Sequence, residues 1–555
     1  MNLRGVGVSP GIGHGPSYVM SASVPEPPEG ATYTGEAEQE KERAMAALTR
    51  VAGELEARGN QAGGEAAEIL KAQALMAEDP GLVVKVRSLI DRGLAAPRAV
   101  FEAFTRYREM LAGSGGFLGE RAADVADIRD RVVALLYGHS MPVVPAAPAE
   151  PYVLVARDLA PADTALLSRE QVAAFVTEEG GPTSHTAIIA RAMGVPAVVA
   201  CPGATGIPPG VRVMVDGSTG EVRLEPADAD VADAAAAATA RQAALASWQG
   251  PGATADGHEV PLLANVGGPG ELADAVGAGA EGIGLYRTEF LFLGRSEAPA
   301  EEEQREAYRA ALEAFPGGTV VVRTLDVGAD KPLAFLPVPA EPNPALGERG
   351  LRRSRKFPEV MEAQLGALAA VASERLQVMA PMVATAEEAA WFARTCRAKG
   401  LGEAGVMIEI PSAALRAADL LAAVDFVSIG TNDLSQYAFA ADRGLSAMSA
   451  LHDPWQPALL GLVAMATGAA RQAGKPCGIC GEAAADPALA CVFVGLGAST
   501  LSMAPSALAA VRAGLGAHTL EQCRQAARAA REQDTAADAR AAAREHLPEL
   551  DRLGL

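Results

Sequence analysis

Eight short runs of β-forming residues punctuate the second half of the chain: Val260–Val266, Gly282–Thr288, Val320–Asp326, Leu376–Val383, Gly405–Ile410, Asp425–Thr431, Pro476–Cys480 and Thr500–Met503. Most are followed by an amphipathic or alanine-rich helical stretch. Eight consecutive β/α units predict a (β/α)8 TIM barrel, for which ~250 residues is typical. A doubly wound sheet competes, but no glycine-rich dinucleotide fingerprint accompanies these units.

A barrel of this kind places reactive groups at the C-terminal ends of its strands. There the chain carries Arg287-Thr288-Glu289, Arg323-Thr324-Leu325-Asp326, Glu409, Asn432-Asp433 and Cys480-Gly481-Glu482, with Asp442-Arg443-Gly444 soon after. With 47 Lys and Arg against 68 Asp and Glu, the chain has a formal charge of −21. Such a balance argues against nonspecific nucleic-acid binding and requires any anion site to be built from gathered arginines. A lone arginine reads as an ordinary ion pair. Arg287, Arg323 and Arg443 at one mouth instead match a multiply charged anion. Glu409 and Asp433 offer the hard oxygen ligands that suit Mg²⁺. Cys477-x-x-Cys480 has no second pair at zinc-finger spacing, so a structural zinc is not expected. A redox dithiol is one reading of the pair; for Cys480 itself two others stay open, a thiol at the mouth giving a proton to a carbanion or enolate, or a small buried hydrophobe.

The first half divides differently. Residues 1 to about 20 read as a short strand and a glycine turn, and five helical stretches follow: Glu36–Arg58, Gly64–Ala77, Pro80–Arg92, Ala96–Ala112 and Phe117–Tyr137. Short connections predict an antiparallel bundle. After a Pro/Ala-rich linker, Tyr152–Ala156, Ala173–Thr177, Ala197–Val199 and Val211–Asp216 read as strands of a small α/β unit. If its opening strand pairs with residues 1–20, the bundle is an insertion. Within this unit, Gly180-Gly181-Pro182-Thr183-Ser184-His185-Thr186-Ala187-Ile188-Ile189-Ala190-Arg191 reads as a turn entering a helix. His185 then lies in a first helical turn, where free N–H groups favour an anion. It is either an unremarkable first-turn histidine or one suited to carry a phosphoryl group. No apolar run is long enough for a membrane span, nothing at the start reads as a signal peptide, and six scattered cysteines suggest a reducing, cytoplasmic setting.

These motifs resemble the Enzyme I family, the phosphoenolpyruvate-protein phosphotransferases of bacterial sugar uptake. The resemblance rests on Gly180–Arg191, Gly284-Leu285-Tyr286-Arg287-Thr288-Glu289-Phe290 and Ser428-Ile429-Gly430-Thr431-Asn432-Asp433-Leu434. Val8-Ser9-Pro10-Gly11, Arg121-Ala122-Ala123-Asp124, Arg323–Asp330, Asn343–Arg349, Asp442-Arg443-Gly444 and Cys480-Gly481-Glu482 add to it in family order. It implies a multidomain α/β chain: a swivelling phosphohistidine α/β domain (1–30 and 142–226), an inserted helical subdomain (31–141) that binds the phosphocarrier protein HPr, and a linker helix (227–255). A TIM barrel (256–530) that binds phosphoenolpyruvate and forms a homodimer follows, then a helical tail (531–555). By motif position, His185 is the phosphorylated histidine and Arg287, Arg323, Arg443 and Asn432 hold the substrate, with Arg349 as a further candidate. Glu409 and Asp433 bind Mg²⁺, Asp433 also lining the substrate site, and Cys480 protonates the enolate to give pyruvate. The chain departs from the family at Pro182 (often Arg), Gln73 (usually His) and Ala329 (commonly Gly). Pyruvate phosphate dikinase and phosphoenolpyruvate synthase share these parts but add a nucleotide-binding domain for which this chain has no glycine-rich loop. A catalytically silent regulatory paralogue is the other alternative, and the intact set of reacting residues argues against it.

Overall fold

Residues 2–9 and 11–20 contain three strands, β1 Asn2–Arg4, β2 Val6–Ser9 and β3 Ile12–Met20, where the glycine spacing predicts one strand and a turn. Gly11 at φ +123° makes the reversal between β2 and β3, and a Cβ on Gly13 would stand 2.1 Å from the Ala173 carbonyl oxygen. Glycine is therefore what lets β3 pass through the middle of a sheet. The computed structural model describes residues 2–9, 11–20, 26–62, 64–114, 116–138, 150–159, 167–180, 185–292, 295, 297–329, 333, 335–337, 341–442 and 446–555. It comprises two units, Met1–Thr239 and Ala240–Leu555.

In the first unit, β4 Tyr152–Ala156, β5 Val172–Thr177, β6 Ala197–Val199, β7 Arg212–Asp216 and β8 Glu221–Leu224 complete a sheet ordered β1-β8-β7-β3-β4-β5-β6-β2. β3 and β4 run parallel, from Ser17↔Val153 to Met20↔Ala156. Parallel neighbours need a long crossover, and here it contains five helices: α1 Ala37–Ala62, α2 Gly64–Ala77, α3 Pro80–Asp91, α4 Ala96–Ser114 and α5 Gly116–Leu136. The bundle is thus an insertion between adjacent strands. Leu48, Leu55, Leu70, Val86, Phe104 and Ile128 build its own core. Asp79 caps α3 by accepting the Leu82 N–H at 3.0 Å, with Pro80 in the first turn. Gln73 is fully buried and donates to Asp124 Oδ1 at 2.8 Å. α6, His185–Met193, follows β5. α7, Asp228–Ala246, spans the boundary between the units.

In the second unit, β9 Leu262–Val266, β10 Ile283–Arg287, β11 Val320–Arg323, β12 Leu376–Ala380, β13 Glu403–Ile408, β14 Phe426–Ile429, β15 Cys477–Ile479 and β16 Thr500–Met503 close into an all-parallel barrel. Each falls within or against one of the eight runs. Alternation along the strands divides the side chains. Val320, Val322, Val378, Val406 and Ile408 pack in the large core that also takes in the surrounding helices. Leu285, Val321, Met379, Met407, Phe426 and Cys480 form a separate cluster inside the barrel. The last helices, Ala536–Glu545 and Glu549–Leu553, join the outer core through Ala539, Ala543 and Leu550. Among the described residues, no helix is long and apolar enough to cross a membrane.

Candidate active site at the barrel mouth

Two residues beyond the inward Leu285, Val321 and Met407 stand Arg287, Arg323 and Glu409, so the same alternation that fills the barrel aims these three groups at its C-terminal mouth. Arg287 and Arg323 are register partners on neighbouring strands. The Arg287 side chain makes no hydrogen bond or ion pair among the described residues and is only partly buried. Arg323 is 7% exposed, its Nη2 is 3.0 Å from Glu289 Oε2, and its Nη1 is 3.6 Å from Asp326 Oδ2. Its Nε is buried with no partner among the described residues. Burial works against the Arg323 charge, but Glu289, Asp326 and Glu409 outweigh it and raise its pKa. Donors left open on two adjacent guanidinium groups suit an anion with several oxygens.

Glu409, the first residue past β13, is fully buried. Its Oε1 accepts the Met382 N–H at 2.6 Å, while its Oε2 has no partner among the described residues. Met382 holds a left-handed backbone at φ +57°, a strained conformation for a non-glycine residue that aims its N–H at this carboxylate. A Cβ at Gly430 would lie 2.9 Å from Glu409 Oε2, so glycine keeps the space beside that oxygen open. Burial, then the charges of Asp433 and Asp326, push the Glu409 pKa up to about 7, against the pull of Arg323 and Arg349. An orphaned buried carboxylate oxygen next to a second carboxylate fits a hard divalent cation. No cluster of three or more His, Cys, Asp or Glu able to hold a metal occurs among the described residues. A cation here would complete its shell with substrate oxygens and water, as Mg²⁺ commonly does.

Asn432 and Asp433 occupy the first turn of the helix Thr431–Phe439, which starts directly after β14. Arg349 donates to both Asp433 oxygens, at 3.0 and 3.2 Å. Cys480 follows β15, is 2% exposed, and its Sγ lies 3.5 Å from the Ile429 carbonyl oxygen. Burial pushes its pKa up to about 11, opposed by a hydrogen bond from Ser428; Glu409 raises it further, while Arg323 and Arg287 lower it. Cys480 is thus packed among apolar side chains, and its burial favours the thiol over the thiolate. All six cysteines are free thiols.

The barrel thus brings together Arg287, Arg323, Glu409, Asn432, Asp433 and Cys480. Arg443 and Pro182 lie outside the described residues. His185 opens α6 in the first unit, and Thr186 beside it is buried, its Oγ1 without a partner among the described residues. Sequence reasoning missed Met382, an apolar residue whose role is carried by its backbone, and passed over Glu289 and Asp326 as positioning groups.

A closed β/α barrel with open arginine donors and a bare carboxylate at its mouth, in a chain that also carries a separate α/β unit, defines an enzyme of small polyanions. PEP-utilising enzymes match along the chain: the N-terminal region at residues 4–121, the mobile domain at 148–220 and the PEP-binding domain at 241–519. A phosphoenolpyruvate-protein phosphotransferase of Streptomyces coelicolor is 58% identical over 546 residues, 98% of each chain. One from Bacillus subtilis is 38% identical over 90% of this chain and 92% of its own. Among solved structures, an Enzyme I solution structure covers 43% of this chain and 99% of its own at 31% identity, with a TM-score of 0.38. The chain belongs to the phosphoenolpyruvate-protein phosphotransferases, and its activity is phosphoenolpyruvate-dependent phosphotransfer.

Proposed function

We propose that the chain passes the phosphoryl group of phosphoenolpyruvate to its own His185 and then to HPr, in the cytoplasm, as the entry step of sugar uptake. The observation that carries this reading is the in-register pair Arg287 and Arg323, with donors still open, beside the orphaned Glu409 oxygen. Arg287 and Arg323, with Arg443 and the Asn432 side chain, clamp the phosphate and carboxylate. Glu409 and Asp433 would hold Mg²⁺, which would supply positive charge against the transferring group.

A neutral ring nitrogen of His185 attacks phosphorus in line. As the N–P bond forms, the P–O bond to the enol oxygen breaks and its electron pair stays on that oxygen. Cys480 then gives its S–H proton to the enolate methylene carbon, producing pyruvate and a thiolate that recovers a proton from solvent. Burial pushes the Cys480 thiol up to about 11, which favours the protonated form that a donor requires.

The remaining assignments follow the domain reading: 1–30 and 142–226 carry the phosphohistidine, 31–141 docks HPr, 227–255 links, and 256–530 with the tail 531–555 binds substrate and dimerises. Leu75 on α2 and Val84 on α3 are exposed apolar side chains on the bundle, and Leu415, Met448, Leu451 and Met465 on the barrel unit; the docking and homodimer assignments rest on the family. The partner assignment is tested by mixing the chain with labelled phosphoenolpyruvate, Mg²⁺ and purified HPr. Label is expected on HPr only when all are present. Labelling of the chain from ATP in place of phosphoenolpyruvate would instead place it with the dikinase-type enzymes.

A further inference from the structure

Arg349 is 1% exposed and uses every donor that it has. Nε donates to Asp326 Oδ1 at 3.0 Å and Nη2 to Asp326 Oδ2 at 2.8 Å. Nη2 also donates to Asp433 Oδ2 at 3.2 Å, and Nη1 to Asp433 Oδ1 at 3.0 Å and to Tyr437 Oη at 3.4 Å. A guanidinium carries five N–H groups, and these contacts account for all five. No donor remains for a substrate oxygen, in contrast to Arg287 and to Nε of Arg323. The place in the substrate clamp that the family resemblance offers Arg349 therefore does not fit its geometry.

Its two carboxylate partners point to a different task. Asp326, fully buried, faces Arg323 on its other side, and its N–H donates at 2.8 Å to Glu289 Oε1. Glu289 pairs in turn with Arg323. Glu289, Arg323, Asp326, Arg349 and Asp433 thus form one chain of charge-assisted contacts, from the end of β10 to the helix after β14. One end is the anion clamp and the other is a carboxylate at the cation site.

We propose that Arg349 is a positioning residue. It fixes the plane of the Asp433 carboxylate for cation binding and, through Asp326, ties that carboxylate to the substrate-holding Arg323. The proposal rests on the assignment of Asp433 and Glu409 to the metal. Two forked, bidentate contacts hold a carboxylate in one orientation, and groups that orient a metal ligand typically change metal affinity 10–100-fold when they are replaced. Lysine keeps the charge but cannot form the fork.

The test uses the full-length chain and Mn²⁺ alone as the probe, with free Mn²⁺ followed by electron paramagnetic resonance in the absence of substrate. Arg349→Lys is expected to weaken Mn²⁺ binding about 10–100-fold, with the KM for phosphoenolpyruvate at saturating Mg²⁺ changed by less than about threefold. Tyr437→Phe removes one peripheral acceptor, keeps both forks, and should shift Mn²⁺ affinity by less than about threefold; it serves as the folded comparison if Arg349→Lys expresses poorly. A larger loss in Tyr437→Phe would overturn the assignment to the forks. Unchanged Mn²⁺ affinity with a raised KM in Arg349→Lys would return Arg349 to the substrate clamp and overturn the proposal. A lowered melting temperature with both constants unchanged would also overturn it, in favour of a purely structural arginine. Glu409→Gln separates the two levels. If it leaves Mn²⁺ binding intact, the metal assignment itself fails; if it weakens binding while Arg349→Lys does not, only the positioning role is lost.

Discussion

Cys480→Ala is expected to bind phosphoenolpyruvate within about threefold of the parent chain while pyruvate release falls by roughly 10²–10⁴. The side chain sits inside the barrel with Leu285, Val321, Met379, Met407 and Phe426, so the substitution removes one buried sulfur from an otherwise apolar cluster. Its cost in stability should be on the order of 1 kcal/mol, the scale of a small cavity. What is lost is the proton. Burial pushes the thiol up to about 11, which favours the protonated form, and Glu409, Arg323 and Arg287 all act on it electrostatically. A coupled pyruvate assay beside a binding titration separates the two effects. Full turnover in Cys480→Ala would leave the cysteine as packing alone.

Glu409→Gln should separate stability from function. The carboxylate is buried, one oxygen has no partner, and neighbouring Asp433 and Asp326 add to the cost of its charge. A carboxyl with a folded pKa above its ordinary 4.5 stabilises the fold fully below that value, and this contribution is lost as pH rises through about 7. In the presence of a chelator, the parent chain should therefore lose stability relative to Glu409→Gln as pH rises from about 5 to 8. At pH 8 the variant should be at least as stable as the parent. Activity should move the opposite way, with the Mg²⁺ concentration for half-maximal phosphorylation raised by about tenfold or more. Denaturation curves at several pH values and a Mg²⁺ titration of phosphorylation read the two halves. Unchanged Mg²⁺ dependence would remove Glu409 from the metal site.

The barrel and most of its mouth were legible because strand alternation is a local signal. Once Leu285, Val321 and Met407 are read as inward, Arg287, Arg323 and Glu409 must reach the same side two residues later. The small strand β8, Glu221–Leu224, carries the same alternation over only four residues, too short a run to stand apart from a loop until β7 lies beside it. Residues 2–20 were underread for a similar reason, since their glycines are spaced for close passage between strands as much as for turning. The role of Arg349 could not be read from spacing at all. Its partners lie 23 and 84 residues away, and only the closed barrel shows that its donors are spent on carboxylates. Met382 was hidden more completely, because its contribution is a backbone angle and an N–H that no side-chain pattern reports.

The central claim is that the barrel mouth loads a phosphoryl group from phosphoenolpyruvate onto His185. The most direct measurement incubates the full chain and His185→Ala with labelled phosphoenolpyruvate and Mg²⁺, followed by acid and base treatment of the recovered protein. Acid-labile, base-stable label on the parent chain and none on His185→Ala is the predicted result. Label that survives in His185→Ala, or a parent chain that takes up none, would contradict it.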